Sequence, residues 1–284
     1  METVKQKQFT GERAAFFARD KKIVECRFFD GESPLKHSEN IELFSCSFEW
    51  KYPLWYSKHI RVESCTLSET ARAGIWYTDD IEMKNCKIDA PKTFRRSTDI
   101  VLENIEIPNA AETLWTCKGV KIKNVTVRGG DYLAMNCEDM EIDGLDLVGN
   151  YAFDGAKNVV IKNSRLMTKD AFWNSENITV YNSTIVGEYL GWNSKNLTLV
   201  DCTIESLQGL CYIQNLVMKN CRLLNTTLAF EYSTVQADID GKIDSVLNPS
   251  GGRITTGEIG ELILQKDRVD PDKTVIICRN KQDV

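Results

Sequence analysis

Residues 177–185 read NITVYNSTI, and residues 196–204 read NLTLVDCTI, nineteen residues further on. A fixed period of this size marks a chain that stacks one small unit on the next, because a single unit cannot bury its own apolar face. The first apolar residue of the phrase recurs at Ile41, Ile60, Ile81, Ile100, Val120, Met140, Val159, Ile178, Leu197 and Leu216, at steps of 19 to 21 residues. A degenerate copy precedes these at Lys21 and another follows near Val235, which makes about twelve coils. No break in composition interrupts the repeat. The sequence therefore predicts a single solenoid domain over 1–284, with a cap over about 1–20 and further coils and a cap over about 238–284.

Counting from that first apolar residue as position 0, the apolar residues fall at positions 0, 2, 5 and 7. Alternation by two is the period of a strand. The jump from 2 to 5 shifts the phase, so the chain must bend between them. The residue at position 4 is Ser45, Ser64, Asn85, Asn104, Asn124, Gly144, Asn163, Asn182, Asp201 or Asn220. Asn, Asp and Gly best tolerate the left-handed backbone that a tight corner needs. Position −1 is similar, with Asn40, Asp80, Asp99, Gly119, Asp139, Asn158, Asn177, Asn196 and Asn215, and predicts a second corner. Stacked asparagines can also hydrogen-bond along the stack. Short strands joined by tight corners, stacked in parallel with right-handed crossovers, make an all-β, single-stranded right-handed parallel β-helix. A leucine-rich repeat shares the LTLVDCTI core. Its period is roughly 20–29 residues, however, and it wants a leucine at position −3. That column reads Ser38, Ser57, Thr78, Ser97, Cys117, Cys137, Ala156, Ser175 and Ser194.

The repeat also explains the ten cysteines. Cys26, Cys46, Cys65, Cys86, Cys202 and Cys221 all occupy position 5, where other coils carry Ile105, Val125, Leu145, Ser164 or Ser183. Cysteine there behaves as a small apolar core residue. No CxxC pair is present, so a zinc ribbon or thioredoxin-type motif is not indicated.

Other functions are disfavoured by composition. The formal net charge is −6, with no basic cluster, which does not suit nucleic acid or an anionic membrane. The charged start METVKQKQFTGERAAFFARDKK does not read as a signal peptide, and no apolar run is long enough to span a bilayer, so a cytoplasmic location is expected. His37 and His59 are the only histidines, which argues against His-based triads and metal sites.

The less regular half of each coil carries the candidates for chemistry. Position −5 reads Lys36, Trp55, Trp76, Arg95, Trp115, Met135, Asp154, Trp173, Trp192, Cys211 and Phe230, so five of the six tryptophans share one column. Position −6 is apolar or small throughout and should point inward, which turns the tryptophan column outward by alternation. Position −8 holds Tyr52, Ala73, Lys92, Glu112, Tyr132, Tyr151, Asp170, Tyr189 and Gln208. Outward aromatic rings mixed with charges resemble a sugar-binding groove for an oligosaccharide or a uronate-containing ligand. Rings stacked only on one another, or a protein-protein interface, are the other two readings. In a sugar site Asp170 and Asp154, on neighbouring coils and offset by three positions along the strand, would form the acid/base pair, an offset that reaches the roughly 6.5–9.5 Å an inverting cleavage needs, against about 5–5.5 Å for a retaining one. Arg95 would anchor a substrate carboxylate, and Glu112 and Glu188 are further carboxylates. Lys92, Trp115, Tyr151, Trp173, Tyr189 and Trp192 would line the groove. No metal-ligand motif is present. An elimination at a uronate would call for Ca²⁺, which no motif specifies. The alternative function is a non-catalytic interaction scaffold, with this face docking a protein or a second copy.

The phrases YPLWYSKHI, AGIWYTDDIEMKNC, KDAFWNSENITVYNS, GEYLGWNSKNLTLVDC and LAFEYSTVQADIDGKIDSVLNP closely resemble a bacterial family, domain-of-unknown-function family 3737, over nearly the whole chain. The resemblance implies the pectate-lyase-like right-handed β-helix fold. That superfamily includes pectate lyases, polygalacturonases and pectin methylesterases, which use clustered Asp residues with Arg or Lys and sometimes Ca²⁺. No signature of those enzymes matches here residue by residue, and Asp79–Asp80 sits at a corner. Fold alone does not assign a function.

Overall fold

The computed structural model describes residues 1–279. It contains two compact units, Met1–Gly149 and Asn150–Val284. Each is a right-handed parallel β-helix, and among the described residues the only helical pieces are two single 3₁₀ turns. In the first unit Ile41, Ile60, Ile81, Ile100, Val120 and Met140 stack directly on one another in parallel register. In the second, Val159, Ile178, Leu197, Leu216 and Val235 do the same. The repeated phrase is thus the rung of a ladder, and its four apolar positions are the core. In one coil Ile41, Leu43, Cys46 and Phe48 are each at most 2% exposed. The position-5 thiols are free and buried.

Both predicted corners are present. Asn40 and Ser45 have φ of 56° and 51°, and Asp80 and Asn85 have 49° and 52°. The asparagines bond along the stack: Asn124 to Asn104 at 3.3 Å, Asn104 to Asn85 at 3.1 Å, Asn196 to Asn177 at 2.8 Å and Asn215 to Asn196 at 2.9 Å. At the corner Gly144, φ is +74° and an added Cβ would lie 2.8 Å from the Asn124 amide oxygen. Glycine is needed there both for its backbone and for the close approach of the ladder.

The structure adds two further corners that composition did not reveal. Position −8 is left-handed at Tyr52, Ala73, Lys92, Glu112, Tyr132, Tyr151, Asp170, Tyr189 and Gln208, and position −4 is left-handed at Tyr56, Tyr77, Arg96, Thr116, Asn174 and Asn193. Position −8 is mostly large or charged, so no glycine or asparagine marks that bend, whereas position −4 carries such a signature only from Asn136 on, with Gly155, Asn174 and Asn193. Position −3 proves to be inward-facing. Ser38, Ser57, Thr78 and Ser97 are at most 1% exposed. Their hydroxyls form a buried ladder, with Ser38 donating to Ser57 at 3.2 Å and the Thr78 amide donating to Ser97 at 3.1 Å. Buried hydroxyls satisfied in this way are compatible with a core.

The coils number about fifteen rather than the twelve counted from the phrase. The additional ones lie at the two ends of the chain, where the phrase is lost. Glu2–Lys5 and Gln8–Phe9 pair in parallel with the next coil, with Glu2 against Lys21, Val4 against Ile23 and Phe9 against Phe28. That first coil carries Glu2 and Lys7 in columns that are mostly apolar from the third coil on. Glu2 forms an ion pair with Lys21, which holds its carboxyl below the usual range. The Lys7 ammonium lies 4.9 Å from the centre of the Phe9 ring. Charges turned inward at an end coil discourage another chain from stacking there.

Candidate functional site

The tryptophan column does face outward and is half-buried, while position −6 beneath it is buried: Leu54, Ile75, Phe94, Leu114, Phe153 and Phe172 are at most 1% exposed. Four indole N–H groups share one partner type. Trp55, Trp76, Trp115 and Trp173 donate to the carbonyls of Ala73, Lys92, Tyr132 and Tyr189, at 2.6, 2.9, 2.9 and 3.0 Å. Each acceptor is the position −8 corner of the following coil. The indole therefore ties its own coil to the next corner and satisfies a carbonyl there.

In the first unit the rings cover one another. The Trp55 and Trp76 centroids are 5.2 Å apart with planes 8° apart. The Arg95 guanidinium lies between Trp76 and Trp115, 4.7 and 4.5 Å from their ring centres. Lys36 covers the other side of Trp55 at 5.8 Å. Arg95 also bonds Glu112 at 3.2 Å, and Lys92 bonds the same carboxylate at 3.0 Å. Of the predicted residues, this unit thus brings Lys92, Arg95, Glu112 and Trp115 together. It assembles them as a closed stack in which the charge of Glu112 is already met. Arg95 is committed to two ring faces and a carboxylate, and its buried Nε has no hydrogen-bond partner among the described residues.

The second unit places Tyr151, Asp154, Asp170, Trp173, Glu188, Tyr189 and Trp192. Trp173 meets Tyr151 edge-on at 6.0 Å and Trp192 at 6.0 Å with planes 43° apart, and Tyr189 meets Trp192 edge-on at 5.4 Å. The offset along a strand anticipated for Asp154 and Asp170 is not what the chain forms. Asp170, Phe172 and Asn174 all have left-handed backbone, at φ of 56°, 62° and 52°, so this stretch is a turn. Asp154 accepts from the Asn174 amide at 3.1 Å, at the downstream corner. Asp170 stands at the upstream corner with Tyr151, Lys169 and Glu188.

Asp170 is 2% exposed, and among the described residues its Oδ1 has no hydrogen-bond partner. Burial raises its proton affinity above that of an ordinary aspartate. The Lys169 ammonium and a hydrogen bond from the Tyr151 hydroxyl work the other way, and the Glu188 charge adds to the rise. Lys169 and Glu188 form an ion pair at 3.2 Å across adjacent coils, and that bond raises the Lys169 pKa. The corner therefore holds a buried carboxyl behind a half-exposed tyrosine, with an exposed cation and carboxylate beside it. Lys169 was absent from the residues selected by sequence. Its signal was legible, since KD at 169–170 and EY at 188–189 stand one coil apart with opposite charges.

Among the described residues, no group of three or more His, Cys, Asp or Glu is disposed to hold a metal ion. Among the described residues no helix is long and apolar enough to cross a membrane. An open groove of about 770 Å³ in the first unit runs along the asparagine corner, lined by Asn85, Asn104, Asn124, Lys87, Glu106 and Arg128 among others. None of the residues selected by sequence lines it.

A family model described as protein of unknown function (DUF3737) matches residues 2–277. No curated protein matches the chain. A point variant of the tailspike protein of E. coli bacteriophage HK620, in complex with pentasaccharide, is similar at 9% identity over 92% of this chain and 70% of that one, with a TM-score of 0.47. The A-module of the Azotobacter vinelandii mannuronan C-5 epimerase AlgE4 is similar at 9% identity over 100% and 90%, with a TM-score of 0.32. QnrB1, a plasmid-mediated fluoroquinolone resistance protein, is similar at 16% identity over 70% and 93%, with a TM-score of 0.35.

Proposed function

The chain belongs to the DUF3737 family, and from its own geometry we propose that it binds an oligosaccharide, preferentially one bearing a uronate carboxylate, at the corner formed by Tyr151, Lys169, Asp170, Glu188 and Tyr189. The observation that carries the reading is the Asp170 carboxyl, 2% exposed and with one oxygen unpartnered, set behind Tyr151. A buried carboxyl without a full set of partners costs about 1–3 kcal/mol. Groups of this kind cluster at functional sites, where a raised pKa suits proton transfer. In this reading Lys169 meets the ligand carboxylate and Glu188 accepts from ring hydroxyls. The edges of Tyr189 and Trp192 pack against the sugar. The Tyr151 hydroxyl, oriented by Asp170, is the group equipped to give or take a proton at the ligand. Asp170 is then a positioning residue, and the Asp154–Asp170 pairing has no role in the reading.

The test is a titration of tryptophan fluorescence with neutral and acidic oligosaccharides, with and without Ca²⁺. Saturable binding of the acidic members, weakened by Lys169→Met and retained by Trp76→Ala, supports the corner. A flat response across the panel from folded protein sinks it. Where turnover of a bound sugar is found, Tyr151→Phe should abolish it, and Asp170→Asn should shift its pH profile.

A second reading, an interaction scaffold, draws on the first unit. There Trp55 and Trp76 are covered on both faces by each other, Lys36 and Arg95, so these two rings offer no face to a sugar.

A further inference from the structure

The two end coils finish the core in opposite ways. At the first coil the core columns hold Glu2 and Lys7, with Lys21 below Glu2. In the last two coils the same kind of inward positions stay apolar and lose their cover. Ile259 stacks on Ile243, Leu262 on Val246 and Ile276 on Ile254, and the three lower residues are fully buried at 0%. Leu262, by contrast, is 44% exposed, and Ile259 and Ile276 are half-exposed. Val275, beside Ile276 on the outer side of its strand, is 53% exposed. Among the described residues no strand pairs with the outer edge of Thr274–Cys278 or of Glu258–Ile263. Thr274–Cys278 carries no charge, unlike Glu258–Ile263 with its exposed Glu258 and Glu261, and an apolar strand with a free edge is a template for pairing with another chain.

From this we infer that the last coil is an interface between two copies of this chain, joined about a two-fold axis through Ile276. The choice of a second copy, and of that symmetry, follows from the charges. Head-to-tail stacking would press Glu2, Lys7 and Lys21 of one protomer against Leu262 and Ile276 of the next, and desolvating those charges without new partners is costly. Stacking last coil on last coil sets the uncharged strand Thr274–Cys278 against its own copy and closes after two copies. Antiparallel pairing of Thr274–Cys278 with itself places Val275 of one protomer opposite Ile277 of its partner, and Thr274 opposite Cys278. It also satisfies the free N–H and C=O groups of both edges. The flanking cations do not oppose this, since Lys273 is held by Asp270 and Arg279 by Asp238 within the same chain.

Sedimentation velocity on the full chain, across a concentration series, tests the assignment. The expected result is a reversible species of twice 32.3 kDa with no larger members. Val275→Lys changes a residue that is already exposed and so leaves the fold intact. It should weaken association about tenfold or more. Ile276→Asp should do the same, and Glu2→Gln should change nothing. Should Ile276→Asp fail to fold by circular dichroism, Val275→Lys decides alone. A chain that stays monomeric at every concentration overturns the inference. So does a dimer indifferent to Val275→Lys, or an open-ended ladder of larger species.

Discussion

Glu112 in the first unit and Asp170 in the second stand at the same place in their coils, eight residues before the first apolar residue of the phrase. Their backbones match, with φ of 52° and 56°. Their surroundings do not. The Glu112 carboxylate is about a third exposed and is met by Lys92 and Arg95 at 3.0 and 3.2 Å. The Asp170 carboxyl is 2% exposed, holds one oxygen without a partner, and has its proton affinity raised by burial. One methylene separates the two side chains. The longer one reaches cations at the surface, and the shorter one stays beneath it. A column position thus sets where a side chain starts, and its length and its neighbours set what it can do.

The largest effect should come from the region where every group is satisfied. Trp76→Ala removes a ring stacked between Trp55 and Arg95 and an indole bond to Lys92, and should cost about 3 kcal/mol in urea unfolding. The contrast between the regions breaks if this variant keeps its stability and loses sugar binding. Asp170→Asn should act with the opposite sign and stabilise the protein at pH 7 by about 1–2 kcal/mol. The pH dependence follows from the raised pKa of Asp170. The folded state holds the proton more tightly than the unfolded state. The stability linked to that proton is therefore fully present below the ordinary aspartate range and is lost as pH rises through the folded value. Unfolding curves taken from acid to neutral pH should show this loss in the parent chain and a flatter profile in Asp170→Asn. A variant that is less stable at every pH would show that the carboxyl has partners it needs.

Glu112→Gln sharpens the same comparison. It leaves Lys92 and Arg95 without their counter-charge and should destabilise by about 0.5–1 kcal/mol, an effect that added salt diminishes. Equal and same-signed responses at Glu112 and Asp170 would erase the distinction drawn between them. The smallest effect on stability belongs to Lys169→Met, which breaks an exposed ion pair and should change unfolding by less than about 0.5 kcal/mol. Its readout is ligand preference: binding of acidic sugars should fall while binding of neutral ones is kept.

Much of the fold was legible in the chain, for a reason visible at particular residues. Asn104 and Asn124 had to be corners because a left-handed backbone selects asparagine, and Cys46 and Cys65 had to face the core because they share a column with valine and leucine. The corners at Tyr151, Asp170 and Tyr189 were not legible, because large and charged residues occupy left-handed backbone there without a glycine or asparagine to mark it. That omission misplaced Asp170 relative to Asp154, since the stretch from Asp170 to Asn174 reads as a strand and folds as a turn. The tryptophan column was recognised as outward, but nothing in its period said that Arg95 would lie between two rings.

The sequence alone determined the coil, the inward columns and two of the four corners, because a phrase repeated ten times puts the same residue types in the same place on every coil, and its period and position −3 column separate it from a leucine-rich repeat. Tertiary structure decided which rings are covered, which acids meet cations, and which carboxyl is left buried. The reason is one of scale. Stacking brings neighbouring coils to about 4.8 Å, a distance that every side chain on the face can cross. Which contact forms is then settled by side-chain length, by corner geometry and by competition among several partners within reach, and none of these is periodic.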